Sequence, residues 1–101
     1  MERKNLEIIA KDMTELLCKK NEAYGNAFED DLDEWGLQPA AIQMGHKMKR
    51  IKSLIKGSDD NGESIKDSIM DLVGYGLLTL EWLARHPEKL RNNDVRPSIN
   101  R

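Results

Sequence analysis

Two sets of charged residues in this sequence have the types and spacing of a binding site. Lys47 and Arg50 are three residues apart, and Glu63, Asp67 and Asp71 follow one another at intervals of four. Residues three or four apart lie on one side of an α-helix, so each set would form a charged stripe. Basic side chains bind phosphate oxygens, and carboxylates bind hard cations such as Mg²⁺. The stripes predict either a site for a phosphorylated ligand, with or without a metal ion, or plain ion pairing between two helices.

The position of Asp71 indicates that this carboxylate has a specific partner. It lies between Met70 and Leu72 in an apolar segment, where an unpaired carboxylate is costly. We expect Lys47 or Arg50 to supply the positive charge. Such a pair is compatible with ligand binding, because the basic side chains would hold Asp71 while no ligand is bound.

A third group of candidate residues lies in segment 20–28. Lys20 would reach a phosphate, and Tyr24 and Phe28 offer aromatic surfaces on which a base would stack. Tyr75 offers a similar surface, and the glycines on either side of it let a flat ligand or another backbone approach closely. The alternative for each tyrosine is a half-buried position in the core.

Hydrophobic residues recur at helical spacing in three segments, which must position these side chains. The predicted helices are about 5–20, 40–56 and 63–83, and no segment alternates in the manner of a β-strand. Their expected core residues are Leu6, Ile9, Met13, Leu16, Leu17, Ala41, Met44, Met48, Ile51, Ile55, Ile65, Ile69, Leu72, Gly76, Leu80 and Leu83. The expected fold class is therefore all-α, a small bundle of three main helices with Trp82 closing one end of its core.

The remaining segments are predicted to be connections. Segment 28–36 is acidic and is expected to form a solvated loop, with room for a short fourth helical piece. Segment 57–62 has the composition of a turn, and Pro87 stops the third helix. We expect a single domain over residues 1–86 and a polar tail over residues 87–101.

Composition limits the classes of partner. With 101 residues, of which 39% are hydrophobic and 34% charged, the core is thin, so we expect at least a dimer. The net charge of −2 gives no basic field for DNA or RNA. No stretch approaches the ~20 apolar residues of a membrane span, so no membrane partner is expected. A single cysteine, Cys18, suits the reducing cytoplasm.

The order and spacing of the charged and aromatic motifs resemble a known family. The motifs are Lys20-Asn21-x-x-Tyr24-Gly25-Asn26-x-Phe28, Lys47-x-x-Arg50 and Glu63-Ser64-x-x-Asp67-x-x-x-Asp71-Leu72-x-x-Tyr75. Together they resemble a phage and prophage domain called nucleotide-modification-associated. That family is similar to the all-α nucleoside triphosphate pyrophosphohydrolases, the MazG and dimeric dUTPase group. The resemblance covers about residues 16–82.

The resemblance implies a MazG-like helical bundle, completed by oligomerisation, that binds a nucleotide. Relatives hold Mg²⁺ with carboxylates on two helices and cleave between the α and β phosphates. By position, the implied nucleotide-binding residues are Lys20, Tyr24, Gly25, Asn26, Phe28, Lys47, Arg50 and Tyr75. The implied ligands of a metal ion, if one is used, are Glu63, Asp67 and Asp71, with Glu22 as a substitute beside Ala23.

Three positions depart from the family pattern. Ala23 and His46 stand where the family usually has acidic residues, and Gly74 stands where it usually has asparagine. Each change removes an oxygen ligand that metal-assisted hydrolysis needs, whereas the basic groups for phosphate binding remain. We therefore expect capture of a phosphorylated signalling nucleotide, such as a cyclic di- or oligonucleotide of a host defence system, with no cofactor required. The alternatives are an active Mg²⁺-dependent pyrophosphohydrolase and a non-catalytic helical module that binds only protein.

Overall fold

The described part of the chain is all-α, as predicted. The computed structural model describes residues 1–24, 26–57 and 63–92, with the backbone alone at 24, 63, 91 and 92. Its helices are α1 (Arg3–Tyr24), α2 (Ala27–Trp35), α3 (Gln38–Gly57), α4 (Glu63–Arg85) and α5 (Glu88–Asn92). The three predicted main helices are confirmed as α1, α3 and α4. Of the turn predicted over 57–62, Gly57 belongs to α3 and residues 58–62 lie outside the described residues, as does the end of the tail, 93–101.

Helices α3 and α4 form an antiparallel hairpin. Ala40 lies in one cluster with Trp82, and a Cβ placed on Gly76 would lie 3.7 Å from Cε of Met44. Further along, Nζ of Lys47 lies 3.0 Å from Oδ2 of Asp71. Later residues of α3 therefore contact earlier residues of α4, as expected for antiparallel helices.

Segment 27–35 is a helix, so the short fourth helical piece allowed for this connector is confirmed and the expectation of a solvated acidic loop is wrong. Phe28 and Leu32 are four residues apart and lie on one side of α2, and Leu32 is only 1% exposed. The acidic residues occupy the other positions, so the acidic composition belongs to an amphipathic helix. Gly36 ends α2 at φ 75°, a conformation that favours glycine, and its N–H donates to the carbonyl of Leu32.

The cluster of buried apolar residues lies at one end of the hairpin, and Met13 of α1 is buried apart from it. Leu32, Ala40 and Trp82 form the buried cluster, and Trp82 is 1% exposed, which confirms its predicted place. Several predicted core residues are instead exposed, namely Leu6, Ile9, Ala41, Met48, Ile55, Ile69 and Leu80. On the hairpin the reason is coverage, because α1 and α2 pack on one side of it while these side chains lie on the other.

Helix α1 crosses α4 at Gly74. A Cβ placed there would lie 3.3 Å from Cδ2 of Leu17 and 3.8 Å from Cε of Met13. The lack of a side chain at this glycine lets α1 approach closely. Met13 is buried, whereas the residues that precede it in α1 are exposed. None of the described helices has the length and apolar character needed to cross a membrane.

Candidate nucleotide-binding cavity

A cavity of about 610 Å³ lies between α1, α2 and α4. Its volume falls in the range of about 300–1,000 Å³ that is typical of small-molecule sites. Met13, Leu16 and Leu17 line it from α1, and Met70 and Leu78 line it from α4. The cavity therefore has apolar walls, to which a smaller number of polar and charged groups are added.

Residues from two of the three sequence motifs meet at this cavity. The predicted site residues among its lining are Lys20, Asn26, Phe28, Asp67, Asp71 and Tyr75. They come from α1, from the start of α2 and from α4. The structure thus brings together candidate groups for phosphate, for a base and for a cation.

Other predicted site residues lie elsewhere. Arg50 and Glu22 are exposed, and neither lines the cavity. Gly25 and the side chains of Tyr24 and Glu63 lie outside the described residues. Lys47 is half-buried and pairs with Asp71, whereas Arg50, three residues further along α3, is exposed.

Lys47 reaches the cavity indirectly, through Asp71. Its Nζ lies 3.0 Å from Oδ2 of Asp71, and the side chains are 27% and 37% exposed. The expected partner of Asp71 is thereby confirmed. The pair links α3 to α4 beside the cavity and holds the Asp71 carboxylate in the absence of ligand.

An aromatic pair forms one wall of the cavity. The rings of Phe28 and Tyr75 lie 5.0 Å apart, centroid to centroid, with an interplanar angle of 64°. This edge-to-face geometry is a preferred one for aromatic pairs. Both rings are half-buried. Tyr75 therefore occupies the half-buried packing position that was the alternative for this residue, and it also lines the cavity, while its contact with a base stays a prediction.

A polar cluster fixes α2 against the end of α4. Nε1 of Trp82 donates to Oδ1 of Asp33 at 2.9 Å, and the ring of His86 stacks on the indole at 4.5 Å. Nδ1 of His86 donates to the carbonyl oxygen of Trp82 at 2.8 Å. Sequence reasoning missed this cluster, although a buried tryptophan usually has a partner for its N–H.

Arg85 is a second cation of the cavity that sequence reasoning missed. Its Nε and Nη2 each donate to a carboxylate oxygen of Glu81 at 2.8 Å, and its Nη1 donates to Glu29 at 3.1 Å. The hydrogen bonds from Arg85 lower the pKa of Glu81 below its ordinary value. Glu81 and then Glu29 raise the pKa of Arg85. The spacing of four between Glu81 and Arg85 was the available signal.

Acidic groups outnumber basic groups in the cavity lining. The charged lining residues are Lys20, Glu29, Asp67, Asp71, Glu81 and Arg85. Within the described ranges, no three His, Cys, Asp or Glu side chains are grouped so as to hold a metal ion. Asp67 and Asp71 alone match the one or two carboxylates with which proteins hold Mg²⁺ through substrate phosphates.

No family model, curated protein or solved structure matches this chain. The resemblance to nucleotide-modification-associated domains therefore stays an expectation. The fold and the cavity define a small all-α protein with a ligand-sized space between its helices.

Proposed function

We propose that this protein binds a phosphorylated nucleotide in the cavity between α1, α2 and α4 and retains it intact. The supporting observation is that Lys20, Phe28 and Tyr75 line one cavity, although they lie on three helices. The sequence predicts phosphate binding for Lys20 and base stacking for Phe28 and Tyr75. Their convergence gives one space that offers both kinds of contact.

The base occupies the aromatic wall formed by Phe28 and Tyr75. Base–aromatic stacking contributes about 1–3 kcal/mol per base and tolerates different bases. Asp67 and Asp71 lie in the same lining, and their carboxylates accept hydrogen bonds from the amino groups of a base. This role gives the acidic groups a function that requires no metal ion.

The phosphate binds at Lys20, the lysine among the lining residues. Lys47 is held by Asp71 in the free protein, so it joins the site only if a phosphate displaces that carboxylate. Arg50 is exposed and outside the lining. We therefore no longer place Arg50 among the primary phosphate contacts within one subunit.

Retention rather than hydrolysis is favoured by Gly74. The family pattern has an asparagine here, whereas in this chain the glycine is buried against Leu17. An oxygen donor at this position is replaced by apolar packing. Capture of a signalling nucleotide, such as a cyclic di- or oligonucleotide of a host defence system, is the biological use that we propose.

A Mg²⁺-dependent pyrophosphohydrolase is the second candidate. The observation that favours it is the presence of Asp67 and Asp71, four residues apart, in the lining of the cavity. When bound, Mg²⁺ would supply charge neutralisation for the phosphates and an activated water. The acidic excess of the lining is also compatible with a nucleotide that arrives together with a cation.

Mass spectrometry of retained and released compounds separates the candidates. The purified protein is incubated with nucleoside triphosphates and cyclic dinucleotides, with and without Mg²⁺, then filtered and denatured. Retention of an intact compound in both conditions is the expected result. Monophosphate and pyrophosphate that appear only with Mg²⁺ would establish the enzyme instead. A protein that neither retains nor cleaves any compound would be a helical interaction module.

A matched pair of aromatic variants tests the place of the base. Tyr75→Ala should weaken retention by the ~1–3 kcal/mol of one stacking contact. Trp35→Ala is the control, because Trp35 is 64% exposed and does not line the cavity. Equal effects of the two variants on retention would show that Tyr75 does not contact the base.

We also propose that the protein self-associates. Four apolar residues of α4 lie on its uncovered side and are 37–64% exposed, namely Ile69, Val73, Leu77 and Leu80. We call them the α4 apolar stripe. Contiguous exposed apolar surface of this kind marks interaction sites. A second copy of the chain is the occupant we propose, since the described part of one copy has a thin core and leaves this stripe exposed.

A further inference from the structure

Arg85 is held by two carboxylates in different ways. Glu81 binds side-on, because its two oxygens accept from Nε and Nη2 at 2.8 Å each. Glu29 binds through one oxygen, which accepts from Nη1 at 3.1 Å. A guanidinium group has five N–H donors in a rigid, planar arrangement. Three of them are used by these contacts, so two remain.

Arg85 lies at the cavity. Arg85, Glu29 and Glu81 all line it, together with Phe28 of the aromatic wall. The side chain of Arg85 is 43% exposed and that of Glu29 is 39% exposed. A ligand in the cavity can therefore reach the guanidinium, and Glu29 can turn into solvent without becoming a buried, unpaired charge.

We propose that Arg85 binds a phosphate group of the nucleotide, while Glu81 holds the guanidinium in place and Glu29 occupies the phosphate position in the free protein. This inference rests on the proposed nucleotide binding. It gives the phosphate groups a second cationic contact in addition to Lys20. The end of the guanidinium that carries Nη1 and Nη2 matches two oxygens of a phosphate. Phosphate replaces Glu29 there, and the side-on bonds to Glu81 stay.

The exchange has a consequence for α2. Glu29 lies on α2 and Arg85 on α4, so the ion pair between them links the two helices in the free protein. Phosphate binding opens this link. The bonds between Glu81 and Arg85 lie within α4 and do not depend on α2.

A purely structural role for Arg85 and a phosphate-binding role predict different effects of mutations on ligand affinity. If the ion pair only fastens α2 to α4, then Arg85→Gln and Glu29→Gln both loosen the cavity and both weaken the binding of every ligand. If Glu29 competes with phosphate, Glu29→Gln strengthens binding of phosphorylated ligands while Arg85→Gln weakens it. The opposite signs separate positioning from binding.

Equilibrium binding of nucleotides and of the matching nucleosides tests the proposal. The probes are ATP, GTP, CTP, UTP, cyclic di-AMP and cyclic di-GMP, together with adenosine, guanosine, cytidine and uridine. Arg85→Gln should raise the Kd of a bound nucleotide about 10- to 100-fold, as expected for a charged hydrogen-bond partner. The Kd of its nucleoside should stay within about twofold, because no phosphate is present. Glu29→Gln should lower the Kd of the nucleotide.

Two further variants control for folding and for charge. Arg3→Gln removes another exposed arginine that pairs with a glutamate four residues away, at 3.0 Å and far from the cavity lining, and should leave every Kd unchanged. Arg85→Lys keeps the charge but loses the planar fork, so its nucleotide Kd should lie between those of the wild type and Arg85→Gln. It also replaces Arg85→Gln if circular dichroism shows that the latter does not fold.

The outcomes distinguish this inference from the function on which it rests. If the wild type binds none of the probes, nucleotide binding itself is wrong, and the role of Arg85 with it. If the wild type binds a nucleotide and Arg85→Gln binds it equally well, only the role of Arg85 is overturned. Equal weakening of nucleotide and nucleoside by Arg85→Gln would also overturn it, in favour of a structural role.

Discussion

Glu81 connects the ionisation of the cavity to the stability of the fold. Hydrogen bonds from Arg85 hold the pKa of this carboxyl below its ordinary value. A lowered pKa in the folded state stabilises the protein above the pKa of the unfolded state. The contribution is lost as the pH falls through the lowered, folded-state pKa. Acid should therefore remove it.

Glu81→Gln should lower the melting temperature at neutral pH, and the difference from the wild type should shrink as the pH falls from about 7 to about 3. Thermal unfolding followed by circular dichroism measures it. Glu15→Gln, at an exposed position on α1 outside the cavity, is the control. A pH-independent difference for Glu81→Gln would contradict the link between its charge and stability.

Trp82 should contribute more to stability than the exposed Trp35. Its indole is 1% exposed and its Nε1 donates to Asp33. Trp82→Phe removes this hydrogen bond and leaves a small cavity, so it should cost about 1–3 kcal/mol of the free energy of unfolding. Urea denaturation measures the change, with Trp35→Phe as a control expected within about 0.5 kcal/mol. Equal costs would refute the anchoring role of Trp82.

At the level of residues, the sequence predicted a contact where the neighbours of a charged residue along its own helix show that it requires a partner. Asp71 was expected to have a cation because its neighbours are apolar, and Lys47 is that partner. The contact between Arg85 and Glu29 was not foreseeable, because it depends on where α2 lies. Arg50 was grouped with Lys47 by spacing, but it is exposed and outside the cavity lining, because spacing along one helix does not show which side chain meets a neighbouring helix.

Helix α4 carries two glycines that face different neighbours. A Cβ on Gly76 would meet Cε of Met44 at 3.7 Å, an ordinary contact, whereas one on Gly74 would meet Cδ2 of Leu17 at 3.3 Å. Glycine in a helix interior costs up to about 1 kcal/mol relative to alanine. Gly76→Ala should therefore gain most of this stability, and Gly74→Ala should gain less because Leu17 of α1 must shift.

Urea denaturation of the two alanine variants measures this difference, and each serves as the control for the other. Gly74→Leu extends the series, since a larger side chain must displace α1 and destabilise the protein. Equal gains for both alanine variants, or a neutral Gly74→Leu, would mean that α1 does not pack on α4 at Gly74.

At the level of elements, hydrophobic periodicity was a sound guide to the helices and composition was a poor one. The apolar spacing of α1, α3 and α4 predicted all three. The acidic composition of segment 28–36 suggested a loop, although Phe28 and Leu32 already have helical spacing. A short amphipathic helix needs few apolar residues: Leu32 of α2 packs against Ala40 and Trp82, and the hydrogen bond from Trp82 to Asp33 adds to its docking.

At the level of the whole molecule, the described part of the chain covers one side of the hairpin and leaves the other exposed. The predicted inner faces of α3 and α4 included Met48, Ile55, Ile69 and Leu80, which are all at least 43% exposed. Periodicity shows that a helix has an apolar side, and it does not show whether the same chain or another copy covers that side. An assembly through the α4 apolar stripe would account for the pattern.

Leu80→Glu should convert the assembly to a monomer, because it places a charge in the α4 apolar stripe. Size-exclusion chromatography with light scattering measures the mass at several protein concentrations. Ile42→Glu is the matched control, since Ile42 is 53% exposed on α3 and lines a separate shallow groove. A wild-type protein that is monomeric at all concentrations would contradict self-association.

The central claim is that a nucleotide binds in the cavity between α1, α2 and α4. The most direct measurement is a titration of isotope-labelled protein with the retained nucleotide, followed by backbone amide chemical shifts. The expected result is that the largest changes occur at Lys20, Phe28, Asp71 and Tyr75, with smaller ones on the uncovered side of the hairpin. Changes confined to Arg50 and the exposed side of α3, or no changes with any nucleotide, would contradict the claim.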